Sequence, residues 1–158
     1  MSTGLYDLVL AAHVLSALTA LMAVGLTGLY ASRARRSEDP FGTRAVNRYF
    51  RPGPNWPSRS LLLVPAFGLA LLLGGDRSAV HEIWPWTGLA IWFVATGVAS
   101  ARVWPGERAL QELLAGGTGQ GPGAAALLIS VSRRLERSAA VVSVLVVAAM
   151  IVMVVQPS

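Results

Sequence analysis

Four apolar stretches nearly empty of charge, at 5–30, 60–73, 84–101 and 138–155, restrict this chain to few folds. The first contains only Asp7, and the last two contain no charged residue. A soluble helix needs a polar face, and these stretches have none. A bilayer core of ~30 Å is crossed by about 20 helical residues, so the first stretch is long enough to span with tilt. The third and fourth are at the short end of that range. The second, between Arg59 and Gly74, is short enough to be a re-entrant or buried segment. The expected fold is all-α: one polytopic membrane domain of four transmembrane helices in a bundle, residues 1–158. No basic residue precedes the first stretch, and it is too long for a cleaved signal core, so it reads as a retained span.

Arginine sets the expected orientation. The link 31–59 carries Arg33, Arg35, Arg36, Arg44, Arg48, Arg51 and Arg59; the link 102–137 carries Arg102, Arg108, Arg133, Arg134 and Arg137. Only Arg77 lies on the other side. Positive residues in short links stay cytoplasmic, which places both termini extracytoplasmic. Twelve arginines against five acids leave the cytoplasmic side near +7, and Arg77 against Asp7, Asp76 and Glu82 leaves the other at −2. The same residues explain the pI near 11 without nucleic acid. They are matched to anionic lipid headgroups, and no helix-turn-helix, RNA-binding or zinc-finger pattern accompanies them. The chain has no cysteine and no lysine. Disulfides, thiolate metal sites and Schiff-base chemistry are therefore excluded. Arginine-only basicity with abundant Ala, Gly and Val points to a bacterial chain, hence to a bacterial plasma (inner) membrane.

Local patterns refine the layout. Ala12, Ser16 and Ala20 recur every fourth residue, and small residues of this kind mark close helix contacts. Thr43–Arg51 is expected to form a short amphipathic helix in the membrane interface, with Val46, Tyr49 and Phe50 on one side. Pro52-Gly53-Pro54 breaks it, and Ser58 or Ser60 is a candidate cap for the next helix. Pro65 is expected to kink the second span. Trp56 and the Trp84-Pro85-Trp86 run read as headgroup-level anchors. Glu107–Ala115 reads as a short helix on the membrane, with Leu110, Leu113 and Leu114 facing lipid. The glycine-rich run Gly116–Gly123 lacks the Gly-Lys-Ser/Thr ending of a phosphate loop and reads as a linker. Ala124–Arg137 is expected to continue unbroken into the fourth span.

Chemistry-bearing residues are few. His13 lies inside the first span, sharing a face with Ala17, Ala20 and Gly28. An intramembrane histidine faces the bundle interior and needs a partner there, either a neighbouring serine, threonine or carbonyl, or a haem iron. Asp7 is placed to cap the first helix or meet its positive end. Six residues from His13, it lies on the opposite face and forms no catalytic pair with it. Asp76, His81 and Glu82 share one outer loop, which reads as solvated, with a metal site as the alternative. No Ser/His/Asp set, HExxH motif or intramembrane carboxylate pair is present, so no catalytic residue is assigned. The spans also lack the polar pathway and inverted repeats of a transporter.

Ala12-His13-Val14-Leu15, Gly25 and Gly28, the long basic link and the ending Met150 to Met153 with Gln156-Pro157 together resemble a family of uncharacterised bacterial four-helix integral membrane proteins. That family is distantly similar to copper-resistance D-type membrane domains. The resemblance covers nearly the whole chain, although the tryptophan and paired glycines usual after the first-span histidine are missing. It implies a structural or interaction role, with a membrane protein partner or homo-oligomer. The start is also similar to the haem-binding membrane protoporphyrinogen oxidase family, which likewise has a histidine early in its first span. That likeness implies the alternative role, a haem b redox protein with His13 as axial ligand.

Overall fold

The computed structural model describes residues 1–37, 43–75, 80–116 and 122–155. Among them there are helices and no strand. The elements are α1 (Thr3–Arg36), α2 (Arg44–Tyr49), α3 (Trp56–Arg59), a 3₁₀ turn (Ser60–Leu62), α4 (Leu63–Gly74), α5 (Ile83–Val98), a π-helical turn (Ala99–Val103), α6 (Trp104–Ala115) and α7 (Pro122–Val155). Four continuous helical runs are long and apolar enough to cross a membrane: Thr3–Arg36, Trp56–Gly74, Ile83–Ala115 and Gly123–Val155.

Each run is longer than its expected apolar stretch. The second begins at Trp56 rather than Ser60, which gives it 19 residues and removes the doubt about its length. Neither Ser58 nor Ser60 caps it. Asn55 takes the cap position, the Ser58 hydroxyl donates back to the Asn55 carbonyl, and the Ser60 hydroxyl donates to the carbonyls of Pro57 and Ser16. Asp7 is no cap either, because α1 starts at Thr3 and leaves Asp7 exposed beyond its first turn. Ala124–Arg137 does continue into the last span, and the 34 residues of α7 give a rod of ~51 Å at 1.5 Å per residue.

The chain folds as two compact units. The first comprises Met1–Ala23, Asn55–Thr96 and Ser143–Ser158. Within it, Ser16, Ala17 and Ala20 of α1 are buried, and α1 meets the second run where the Ser60 hydroxyl reaches the Ser16 carbonyl and His13 the Val64 carbonyl. Pro65 determines the start of α4. Proline lacks the N–H that would bond the Leu61 carbonyl, and its ring crowds that same carbonyl. The chain answers with the 3₁₀ turn, and the indole Nε1–H of Trp92 on α5 donates to the Leu61 oxygen at 2.8 Å.

The second unit comprises Val24–Pro54 and Gly97–Val142. On α7, Leu128, Ser132, Leu135, Ala139 and Val142 are buried, a spacing of alternate fours and threes that presents one seam. Gly28 lets α1 close onto α7 here: a Cβ at that position would stand 3.2 Å from the Ala139 Cβ. Two interfacial readings are corrected in this unit. The apolar side of α2 is buried in protein, with Val46 and Phe50 enclosed and Tyr49 stacked on Tyr30 at 4.4 Å between ring centroids. Glu107–Ala115 belongs to α6, in continuous helix with α5, and Leu110 is fully buried instead of facing lipid. The π turn precedes Pro105, whose missing N–H leaves the Ala101 carbonyl without its α-helical partner.

Candidate functional site

The first unit contains a half-open cavity of about 580 Å³, and His13 lines it. α1 places the ring against the first turn of α4. Its Nδ1 lies 2.9 Å from the Val64 carbonyl, one residue before Pro65. A carbonyl oxygen only accepts, so Nδ1 carries the hydrogen and donates. In the neutral ring, Nε2 is then the lone-pair nitrogen, able to accept a hydrogen bond or ligate a metal. Gly68 makes room for this arrangement: a Cβ there would stand 3.1 Å from His13 Cε1. The backbone carbonyl of His13 also accepts the Ser16 hydroxyl at 2.8 Å. The inward face expected for His13 is the one it uses, and the partner is a backbone carbonyl.

Tryptophans form much of the rest of the wall. Trp84, Trp86 and Trp92 all line the cavity, a role that the expectation of headgroup anchors at Trp84 and Trp86 did not include. Two of their N–H groups are engaged, Trp86 with the Val80 carbonyl at 3.0 Å and Trp92 with Leu61. Tyr6 and Glu82 add the remaining titratable groups of the lining. His81 is exposed and is not part of the wall; Asp76 lies outside the described residues, as do Arg77 and 117–121 of the glycine-rich linker. Among the described residues, no three His, Asp or Glu side chains come together as a metal site.

The haem alternative meets this lining in one respect and conflicts with it in another. The Nδ1–H donation to a carbonyl is the arrangement that fixes a ligating histidine. Haem b also carries two propionates, which call for cations. The described lining offers no cation, and its one carboxylate, Glu82, repels them.

A second polar group is buried in the other unit, and the sequence reading missed it. The Thr27 hydroxyl donates to Glu107 Oε1 at 2.7 Å. Its single proton is then spent, so the Tyr49 hydroxyl, 2.9 Å away, donates to Thr27. Thr27 and Glu107 are both buried, although Glu107 had been counted among the surface acids. A signal existed: Thr27 falls seven residues after Ala20 on the packing stripe, where a polar side chain requires a partner. The relay runs tyrosine to threonine to carboxylate and ties three elements together.

No protein-family model, curated protein or solved structure matches the chain.

Proposed function

We propose that this chain is a four-span protein of a bacterial plasma membrane that works by binding and interaction, and not by catalysis. One observation carries the reading. The four runs are intensely apolar, yet only 11% to 28% of the most apolar part of each is buried. Leu8, Met22, Leu73, Val144 and Val154 are all exposed, as are many like them. Contiguous apolar surface on this scale requires lipid or a protein partner to cover it. The arginine distribution supports both termini outside and the links 31–59 and 102–137 inside. There the basic residues meet anionic headgroups, at ~1 kcal/mol for each arginine near the surface. The resemblance to uncharacterised four-helix membrane proteins, themselves distantly like copper-resistance D-type domains, and a place as accessory subunit or homo-oligomer, belong to this same proposal.

The test is fractionation with reporters. The protein should stay with membranes through alkaline carbonate washing. A reporter active only in the cytoplasm should be silent when fused after Ser158 and active when inserted at Gly53. Activity at Ser158 would overturn the orientation, and release by carbonate would overturn the insertion.

The haem b reading stands second, favoured by the His13 tautomer alone. It requires a Soret band in protein purified from haem-replete cells, and His13→Ala must abolish it.

A further inference from the structure

Aromatic rings line the half-open cavity of the first unit along its depth. Tyr6 and His13 are seven residues apart on α1, about 10 Å of helix, and both line it. Gly75 and Gly68 receive them at the same spacing: a Cβ at Gly75 would stand 3.1 Å from the Tyr6 ring, and one at Gly68 would stand 3.1 Å from His13. Trp84, Trp86 and Trp92 follow the same depth along α5, which begins at Ile83. Hydrogen bonding does not choose the guest. The Tyr6 hydroxyl, the Trp84 N–H and Nε2 of His13 have no partner among the described residues, and none of these atoms is buried, so water serves donors and acceptor alike. Charge does choose. Glu82 is the one charged residue of the described lining, and it is exposed and without an ion-pair partner among the described residues. α1 and α5 begin at this end of the unit while α4 and α7 finish there, so their dipoles offset. The exposed carboxylates of Asp7 and Glu82 outnumber the one described cation of that end, the Met1 amino group.

We propose that this cavity binds an amphipathic organic cation, a quaternary ammonium or phosphonium compound with an apolar body. The face of an indole ring is negative, and tryptophan holds a cation better than any other side-chain ring. Glu82 adds a full negative charge beside Trp84 in the chain, while Leu72, Leu89 and Met153 offer apolar wall to the body of the guest. A quaternary cation has no N–H to satisfy, so it leaves the open polar atoms of the wall to water. Anionic amphiphiles of the same shape meet no cation on the described lining and are repelled by Glu82. A volume of about 580 Å³ is in the range that encloses a whole guest of this kind. Binding alone is meant; no transport follows from these residues. The inference deepens the binding function proposed above and rests on that reading.

Two probes of nearly the same shape and opposite charge test it on the full-length protein in a mild non-ionic detergent: tetraphenylphosphonium and tetraphenylborate. Equilibrium dialysis against empty micelles of the same detergent reads binding and removes the share due to the micelle. The phosphonium should bind about ten-fold more tightly than the borate or better, from attraction and repulsion at an exposed carboxylate together with the indole faces. Glu82→Gln should weaken the phosphonium about five-fold and leave the borate no weaker, and since Glu82 is exposed this variant keeps the fold. Trp84→Leu should weaken the phosphonium about three-fold by removing a ring face. Leu72→Trp, which fills the cavity, should abolish its binding. Equal affinity for the two probes, no binding of the phosphonium, or binding untouched by Glu82→Gln or by Leu72→Trp overturns the proposal. So does a co-purifying Soret band lost in His13→Ala, which puts haem in the cavity. A carbonate-resistant protein with the expected orientation that shows no preference for the cation refutes this inference alone. A protein that prefers the cation but is released by carbonate refutes only the membrane reading.

Discussion

Replacing Trp92 by phenylalanine removes the donor that serves the carbonyl freed by Pro65. The Leu61 oxygen has no α-helical N–H to meet at residue 65, and Trp92 Nε1 supplies one at 2.8 Å. A buried carbonyl left unmet costs ~1–3 kcal/mol in water-soluble proteins. Polar contacts between membrane helices are worth less when measured, about 0.6 kcal/mol on average and up to ~1.7. Trp92→Phe also shrinks the side chain, so its total cost mixes packing with the hydrogen bond. A double-mutant cycle separates them. Pro65→Ala restores an N–H at residue 65, so the Leu61 oxygen no longer depends on the indole. Trp92→Phe should then cost ~0.5–1.5 kcal/mol less in the Pro65→Ala background than in the wild type. The assay is equilibrium unfolding in mixed micelles of a mild detergent and dodecyl sulfate, followed by far-ultraviolet circular dichroism, which does not depend on the lost tryptophan. Additive costs within error would refute the view that Trp92 compensates the proline.

Other substitutions have definite expected outcomes. Ser16→Leu should overpack the buried face of α1, where Ser16 is only 8% exposed, lowering stability by ~1–3 kcal/mol and the melting temperature with it. Thr27→Val removes the donor to Glu107 and the acceptor of Tyr49, so it should cost ~1–3 kcal/mol, and Tyr49→Phe should add much less in that background than alone. Arg35→Ala should hardly change stability, because its 3.0 Å pair with Glu136 has side chains 25% and 29% exposed, and such pairs are worth ~0–1 kcal/mol. Gly28→Leu should prevent the approach of α1 to α7, seen as a lower melting temperature than for Gly25→Leu, since nothing lies near a Cβ at Gly25.

The sequence shows the apolar runs because lipid-compatible helices must be apolar along their whole length, and that is a property of composition. It hides where the runs end. Ala31, Ala34 and Arg35 continue α1 because nothing in that segment stops a helix, although the arginines mark a change of surroundings. Trp56-Pro57-Ser58-Arg59 starts a helix early for the related reason that proline suits a first turn. Polar residues near a span were read as surface-bound wherever they followed the apolar run. That logic placed α2 and the Glu107–Ala115 segment against lipid. It fails because Tyr49 and Glu107 have a buried partner in common, Thr27, and only tertiary structure brings them to it.

The site shows the same division. An isolated intramembrane histidine among small residues signals an inward face and a partner, and Gly68 gives the His13 ring its space. The identity of the partner was out of reach, because it is the main-chain oxygen of Val64, fifty-one residues away in the chain. The tautomer follows from that oxygen, and with it the sense of any hydrogen bond to a guest. Proline, tryptophan and histidine therefore act on one stretch of α4. Pro65 frees the Leu61 carbonyl for Trp92, while His13 bonds the neighbouring Val64 carbonyl, and both aromatic rings also form cavity wall. A helix without proline at this point would satisfy Leu61 internally and leave the Trp92 N–H to find another acceptor.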